Sequence, residues 1–285
     1  MIQRRFILGS EWVYCKIYTG EKNADTILLK DVLELNHTLF EQKAIDKSFF
    51  VRYTDEDFHI RLRYHATSNE GVTTVIKLLF QKFNSDIQNR RIQKLTYDTY
   101  VREIERYGAS TYDYTETLFS VDSQSIISIL NCICSKVDKY DLRWKIALLL
   151  LDDTLDVAYT LEQKKAFVEK RRNAYRQEFG ITGMDTIRQL NNKFRTNRKS
   201  IVNTMRRDLP EEILQVLNDI KKYITQILKQ IDNILEINLN DYLSSITHMT
   251  VNRLFITKNN LCEMVLFDYL YRYYDSYTAQ LKYRR

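Results

Sequence analysis

Between Phe58 and His65 the sequence alternates without a break: Ile60, Leu62 and Tyr64 hold one parity, His59, Arg61, Arg63 and His65 the other. Successive side chains of an extended strand point to opposite faces. The segment is therefore a strand with one side to bury and one side carrying two guanidinium and two imidazole groups. Its neighbours give it a place. Trp12 to Tyr18 is aromatic and β-branched and stops at Thr19-Gly20. Asp25 to Phe40 sets Ile27, Leu28, Val32, Leu35, Leu39 and Phe40 at helical spacing, and Ser48 to Tyr53 reads as a second strand. After the turn Thr54 to Asp57 come the alternating strand, a helix over Gly71 to Phe83 and a fourth strand over Ile92 to Val101. The order β-α-β-β-α-β predicts a ferredoxin-like sheet, with Phe58 to His65 inside it beside the first strand. Both helices then cover the apolar face, and the basic face is left open.

Six glycines and one proline in 285 residues are too few for an all-β fold. From Ser123 onward the chain reads as helix after helix: Ser123 to Cys134, Leu142 to Val157, and Leu161 to Phe179 closing at Gly180. Pro210 starts another, with Ile213, Leu217, Ile220, Ile224, Ile227, Ile231 and Ile234 on one seam. That seam reads first as a core helix, with a homodimer coiled coil as the other option. The expected class is α+β, one domain over residues 1–285. Its α/β sheet half (1–115) packs on a mainly helical half (116–285), joined near Glu116 to Ser125.

Composition removes several classes. Cys15, Cys132, Cys134 and Cys262 form no C-x-x-C pair and no metal-ligand spacing with a histidine; Cys132 and Cys134 lie in the apolar stretch Ile126 to Cys134, so buried thiols in a reducing setting are expected. The N-terminus has no signal-peptide core, and the apolar run Ile146 to Leu151 is too short for a membrane span. The expectation is a soluble, cytoplasmic protein. Arg188 to Arg207 holds seven Lys or Arg and no acid, which reads first as a solvated helix face or loop. An RNA- or peptide-binding strip is the alternative.

Three clusters are candidates for chemistry. Arg61 and Arg63, two apart on a strand, project forks to one side and suit a carboxylate. A solvated charged face is the plain alternative, but the later helices need a surface, and arginines buried there need anionic partners. Glu103 and Arg106, three apart where the fourth strand ends, can pair; a carboxylate-held arginine makes an oriented anion clamp. His248 and Asn252, four apart, share a helix face, where a lone histidine is more often a satisfied structural residue than a catalyst.

Taken together, Arg4-Arg5-Phe6, Gly9-Ser-Glu-Trp-Val-Tyr14, Phe49-Phe-Val-Arg-Tyr53, His59-Ile-Arg-Leu-Arg63, Glu103-Ile-Glu-Arg-Tyr-Gly108 and His248-Met-Thr-Val-Asn-Arg-Leu254 resemble the successive signatures of one family. It is the glutamate-elimination domain at the C-terminus of class I lanthipeptide (lantibiotic) dehydratases, also found as separate thiopeptide-type bacteriocin biosynthesis proteins. The resemblance runs from Arg4 to about Phe255. One departure is the loop Asp55-Glu-Asp-Phe58, where the family usually carries a proline; a change of loop shape is expected.

The resemblance implies a lyase that removes glutamate from glutamylated Ser or Thr of a ribosomally made precursor peptide, leaving dehydroalanine or dehydrobutyrine. A separate, glutamyl-tRNA-dependent protein would supply the ester, so the chain itself is not expected to bind nucleic acid. Carried over residue by residue, the catalytic set is Arg61, Arg63, Glu103, Arg106 and His248, with no metal and no cofactor. The arginines suit the enolate-like carbanion and the departing carboxylate, Glu103 orients Arg106, and His248 moves a proton. Which group takes the α-proton stays open. Rival readings are a pyridine-forming [4+2] cycloaddition enzyme of the same fold and a non-catalytic peptide- or RNA-binding module.

Overall fold

The computed structural model describes residues 2–181 and 183–283. The strands are β1 (Arg5–Phe6), β2 (Trp12–Thr19), β3 (Ile45–Thr54), β4 (Phe58–Ala66), β5 (Ile92–Tyr97) and β6 (Tyr100–Val101). The helices begin with α1 (Glu21–Thr26), a π-turn (Ile27–Val32), α2 (Leu33–Glu41), α3 (Asn69–Gln88), α4 (Ile104–Tyr107) and α5 (Tyr112–Ile133). They continue with α6 (Lys139–Asp156), α7 (Leu161–Glu178), α8 (Met184–Met205), α9 (Glu211–Asp232), α10 (Leu239–Leu254) and α11 (Asn259–Tyr283). The protein is α+β.

Two compact units divide the chain. The first runs to Cys132 and takes in Lys229–Asn238; the second comprises Ile133–Leu228 and Leu239 onward. In the first, the large sheet has the order β3-β4-β2-β5 with every pair antiparallel, the ferredoxin-like arrangement. The alternating strand is central. Ile60, Leu62 and Tyr64 are almost wholly excluded from solvent, as are Val13, Cys15 and Ile17 on β2. Burying each large aliphatic side chain there contributes roughly 2 kcal/mol. The helical residues Ile27, Leu28, Val32, Val75, Leu79 and Phe83 are buried too.

Local chemistry sets the ends of these elements. The Ser68 hydroxyl accepts from the Gly71 backbone N–H at 3.1 Å and starts α3. A Cβ on Gly71 would lie 2.4 Å from the Ala44 carbonyl oxygen, so only glycine lets the helix approach there. Regular helix periodicity does not reveal the π-turn, whose wider turn still buries Ile27, Leu28, Asp31 and Val32. The expected fourth strand is divided. At Asp98 the chain leaves the sheet, its carboxylate bonding the Thr99 N–H at 2.7 Å and Lys16 at 2.6 Å, and Tyr100–Val101 pairs with Arg5–Phe6 instead.

Glu116 to Ser125 is not a connector but lies inside α5. The hydroxyls of Ser120 and Ser123 accept from the backbone N–H groups of Ser48 and Phe50, at 3.1 and 3.2 Å. The helix thus satisfies donors of the edge strand β3 that would otherwise stand unpaired. It also changes the thiol expectation: Ile133 takes the buried position at its end, Cys132 is half-buried and Cys134 exposed, while Cys15 is fully buried.

In the second unit, the α6 run from Ile146 to Leu151 is buried throughout. The acids Asp152, Asp153 and Asp156 share that helix and are met by Lys164, Arg207 and Lys221, with Arg207 Nη1 donating to both oxygens of Asp153 at 3.0 Å. Thr160 and Gln163 form a capping box at the start of α7. The basic run is largely α8, with Arg188, Lys193, Arg195, Arg198 and Lys199 exposed. The α9 seam from Ile213 to Ile231 is buried. Among the described residues, no helix is long and apolar enough to cross a membrane.

Candidate active site

On the second face of the sheet a cavity of about 460 Å³ opens between β4 and the loop that leaves β6. Six cations line it: Arg4, Lys16, Arg61, Arg63, Arg102 and Arg106. Four of them are held by carboxylates. Arg4 is bidentate on Glu105 at 2.7 and 3.0 Å, Lys16 meets Asp98 at 2.6 Å, and Arg106 meets Glu103 at 3.0 Å. Arg102 is bidentate on the fully buried Glu116, at 2.8 and 2.5 Å. Arg61 and Arg63 have no carboxylate within ion-pair distance among the described residues. The cavity therefore carries two guanidinium groups that touch no carboxylate among the described residues, both from the central strand.

Aromatic rings hold these two in place. The Arg61 guanidinium lies 3.4 Å over the Tyr53 ring, and its Nε donates to His59 Nε2 at 3.2 Å. Arg63 sits among the rings of Tyr14 (4.3 Å), Tyr100 (5.0 Å) and Phe49 (5.3 Å), and its Nε is buried without a hydrogen-bond partner. Stacking leaves a guanidinium's in-plane donors free. The environment bears on its neighbours: burial raises the Tyr14 hydroxyl despite Arg63 and Arg61 nearby. Burial also pushes the Asp98 carboxyl up, but hydrogen bonds from Lys16 and the Thr99 N–H outweigh it and hold the group below its ordinary range.

The Glu103–Arg106 pair spans the start of the short helix α4, with Glu103 at its N-cap and Arg106 within it. The Glu103 backbone N–H donates to the Tyr112 hydroxyl at 2.8 Å, and Gly108 ends the helix at φ +79°. Tyr100 donates to Glu116 at 2.8 Å, so Glu116 ties β6, Arg102 and α5 together just before the clamp. Both members of the pair are half-exposed.

The second unit holds His248 on α10. Its Nδ1 lies 2.7 Å from Glu263 Oε2 on α11, and Glu263 is fully buried. Arg171 Nη2 stands 3.9 Å from the other oxygen of Glu263 and donates to the Tyr175 hydroxyl at 3.2 Å. Burial and the charge of Glu263 push that hydroxyl well up. With Nδ1–H given to Glu263, the imidazole keeps Nε2 as a hydrogen-bond acceptor.

Of the five residues expected from sequence, Arg61, Arg63, Glu103 and Arg106 line one cavity, and His248 stands in a carboxylate-bonded cluster of its own unit. Sequence reasoning missed Glu263, Glu116 and the carboxylates on Arg4 and Lys16. A signal for Glu263 existed: it is the one charged residue in the apolar stretch Leu261 to Phe267. Among the described residues, no group of three or more His, Cys, Asp or Glu is placed to hold a metal ion.

A family model described as lantibiotic biosynthesis dehydratase C-term matches residues 12–274. The chain belongs to that family. Among lantibiotic relatives, the subtilin biosynthesis protein SpaB of Bacillus subtilis is 25% identical over 179 residues. The match covers 59% of this chain and 16% of SpaB, so the chain spans only a small part of that relative's length. Of solved structures, the tRNA dependent lantibiotic dehydratase MibB from Microbispora sp. 107891 superposes with a TM-score of 0.78 at 19% identity. That superposition covers 100% of this chain and 29% of MibB. The pyridine synthase TbtD from thiomuracin biosynthesis gives 0.67 at 12% identity, over 93% of this chain and 99% of TbtD. At these identities the structural likenesses establish the fold.

Proposed function

We propose that this lantibiotic dehydratase C-terminal chain is a single lyase domain that eliminates glutamate from glutamylated Ser or Thr of a ribosomally made precursor peptide. In the proposed step a base removes the α-proton of the esterified residue. The electron pair forms the Cα=Cβ bond, the Cβ–O bond breaks, and glutamate leaves as a carboxylate. Arg61 and Arg63 receive that carboxylate and the developing enolate charge, Arg106 held by Glu103 adds a third donor, and His248 with Glu263 behind it carries the proton. A separate glutamylating protein supplies the ester.

One observation carries the reading: two stacked guanidinium groups face a cavity with no carboxylate of their own, while every other cation lining it is paired. On a face that served only solubility unpaired guanidinium groups would lie in water, whereas these two are half-buried against aromatic rings. Incubating the purified chain with a glutamylated precursor peptide tests the reading by mass spectrometry. Loss of glutamate with an alkene left behind supports it, and an untouched ester sinks it.

Pyridine formation is the second reading, favoured by one fact: TbtD is covered over almost its whole length, MibB over less than a third. The sequence match to SpaB and the higher TM-score to MibB favour elimination. A peptide bearing two dehydroalanines, turned over while the glutamyl ester is ignored, would decide for the second.

A further inference from the structure

We infer that His59 is a positioning residue: as a neutral imidazole protonated on Nδ1, it accepts the Nε–H of Arg61 and fixes the plane in which that guanidinium meets a carboxylate. The inference rests on the reading above, in which Arg61 receives the departing glutamate.

Strand geometry brings the two together. His59 and Arg61 are two apart on β4 and so share a face. His59 is fully buried, and its cross-strand partners are Tyr18 on β2 and Tyr53 on β3. The imidazole is flanked by both rings, with centroids at 4.6 and 5.6 Å. Tyr53 is also the ring under Arg61, at 3.4 Å. One aromatic side chain thus supports both the imidazole and the guanidinium.

The hydrogen bonds select one protonation state. Nδ1 lies 3.0 Å from the Asp57 carbonyl oxygen, which only accepts, so Nδ1 carries the hydrogen. Nε2 receives Arg61 Nε–H at 3.2 Å, so it carries a lone pair. The neutral Nδ1–H tautomer satisfies both contacts, and no other state does. Stacking fixes the tilt of the Arg61 guanidinium and the Nε bond fixes its rotation, leaving its terminal amino groups as the anion donors. Protonating Nε2 would replace the acceptor by a second N–H facing Arg61. The charged groups bearing on the imidazole are Asp55, 3.7 Å from Nδ1, and the cations Arg61 and Lys16. Burial, the largest influence, favours the neutral form.

The arrangement gives acid an unusual sign. An added positive charge beside a cationic cavity should strengthen carboxylate capture, whereas loss of the Arg61 acceptor should weaken it.

The test uses the full chain labelled with 15N-arginine and 15N-histidine, with the Arg61 Nε–H signal assigned through Arg61→Lys. That signal should be slow to exchange in the wild type, retained in His59→Gln, whose amide oxygen can accept, and lost in His59→Phe. Elimination from a glutamylated peptide should fall by about 10- to 100-fold in His59→Phe and recover in His59→Gln. A His59→Phe protein that keeps both the signal and the rate overturns the inference and leaves His59 a packing residue. Should that variant not fold, titration of the wild type decides. The Arg61 signal must disappear over the pH interval in which the His59 nitrogens shift, and a signal that outlasts His59 protonation overturns the inference. A signal lost in His59→Phe, with turnover unchanged there and in Arg61→Lys, overturns Arg61 as the carboxylate donor while upholding the hold of His59 on it.

Discussion

His248 Nδ1 lies 2.7 Å from a carboxylate oxygen of Glu263, a residue wholly removed from solvent. A buried carboxylate against one ring nitrogen fixes the orientation of the imidazole and leaves the other nitrogen as a hydrogen-bond acceptor. Glu263→Gln removes the charge and keeps the shape. Turnover of a glutamylated peptide should fall by about 10- to 100-fold, mainly in kcat, with little change in KM. Single-turnover kinetics measures this, and an unchanged kcat would remove Glu263 from the mechanism.

Arg63→Lys keeps a positive charge but loses the flat fork that lies among Tyr14, Tyr100 and Phe49. In kcat/KM for elimination the expected loss is about 100-fold, with the glutamyl ester accumulating intact. Arg61→Lys should behave alike. Full activity in both would mean these two guanidinium groups of the cavity serve some other anion.

Glu116 is the buried anion on which Arg102 and Tyr100 converge. Replacing it by Leu leaves a mostly buried guanidinium unpaired, and the fold should lose about 3–5 kcal/mol. Urea unfolding monitored by circular dichroism gives the figure. A change below about 1 kcal/mol would mean Arg102 finds solvent when released.

Burial lowers the affinity of His59 for a proton in the folded chain relative to its ordinary value of 6.5. The unfolded chain therefore takes up that proton first as pH falls. The associated stability is full above about pH 6.5 and is lost as pH drops from there through the depressed folded value. Urea midpoints at pH 7 and pH 5 should differ more for the wild type than for His59→Gln. Equal differences would show that His59 titrates alike in both states.

Burial pushes the Cys15 thiol up to about 12, whereas Cys134 is exposed. A disulfide reagent at pH 8 should label Cys134 in the native protein and reach Cys15 only on unfolding. Rapid native labelling of Cys15 would contradict the packing of β2 under the helices.

Much of this protein follows from periodicity, because burial on one face of a strand or helix writes itself into every second or every third and fourth residue. The strict alternation of Phe58 to His65 was enough to place Ile60, Leu62 and Tyr64 in a core and to align Arg61 and Arg63 on the opposite face. The element order was enough for the sheet topology. Pairings between distant residues leave no such trace. That Lys16 is met by Asp98, Arg4 by Glu105 and Arg102 by Glu116, while Arg61 and Arg63 touch no carboxylate among the described residues, depends on which loops the fold returns to the cavity. The same holds for Glu263 behind His248, fifteen positions away on the next helix. Local pattern encodes which face is buried, but only the closed chain determines which charges find partners and which are left to bind something else.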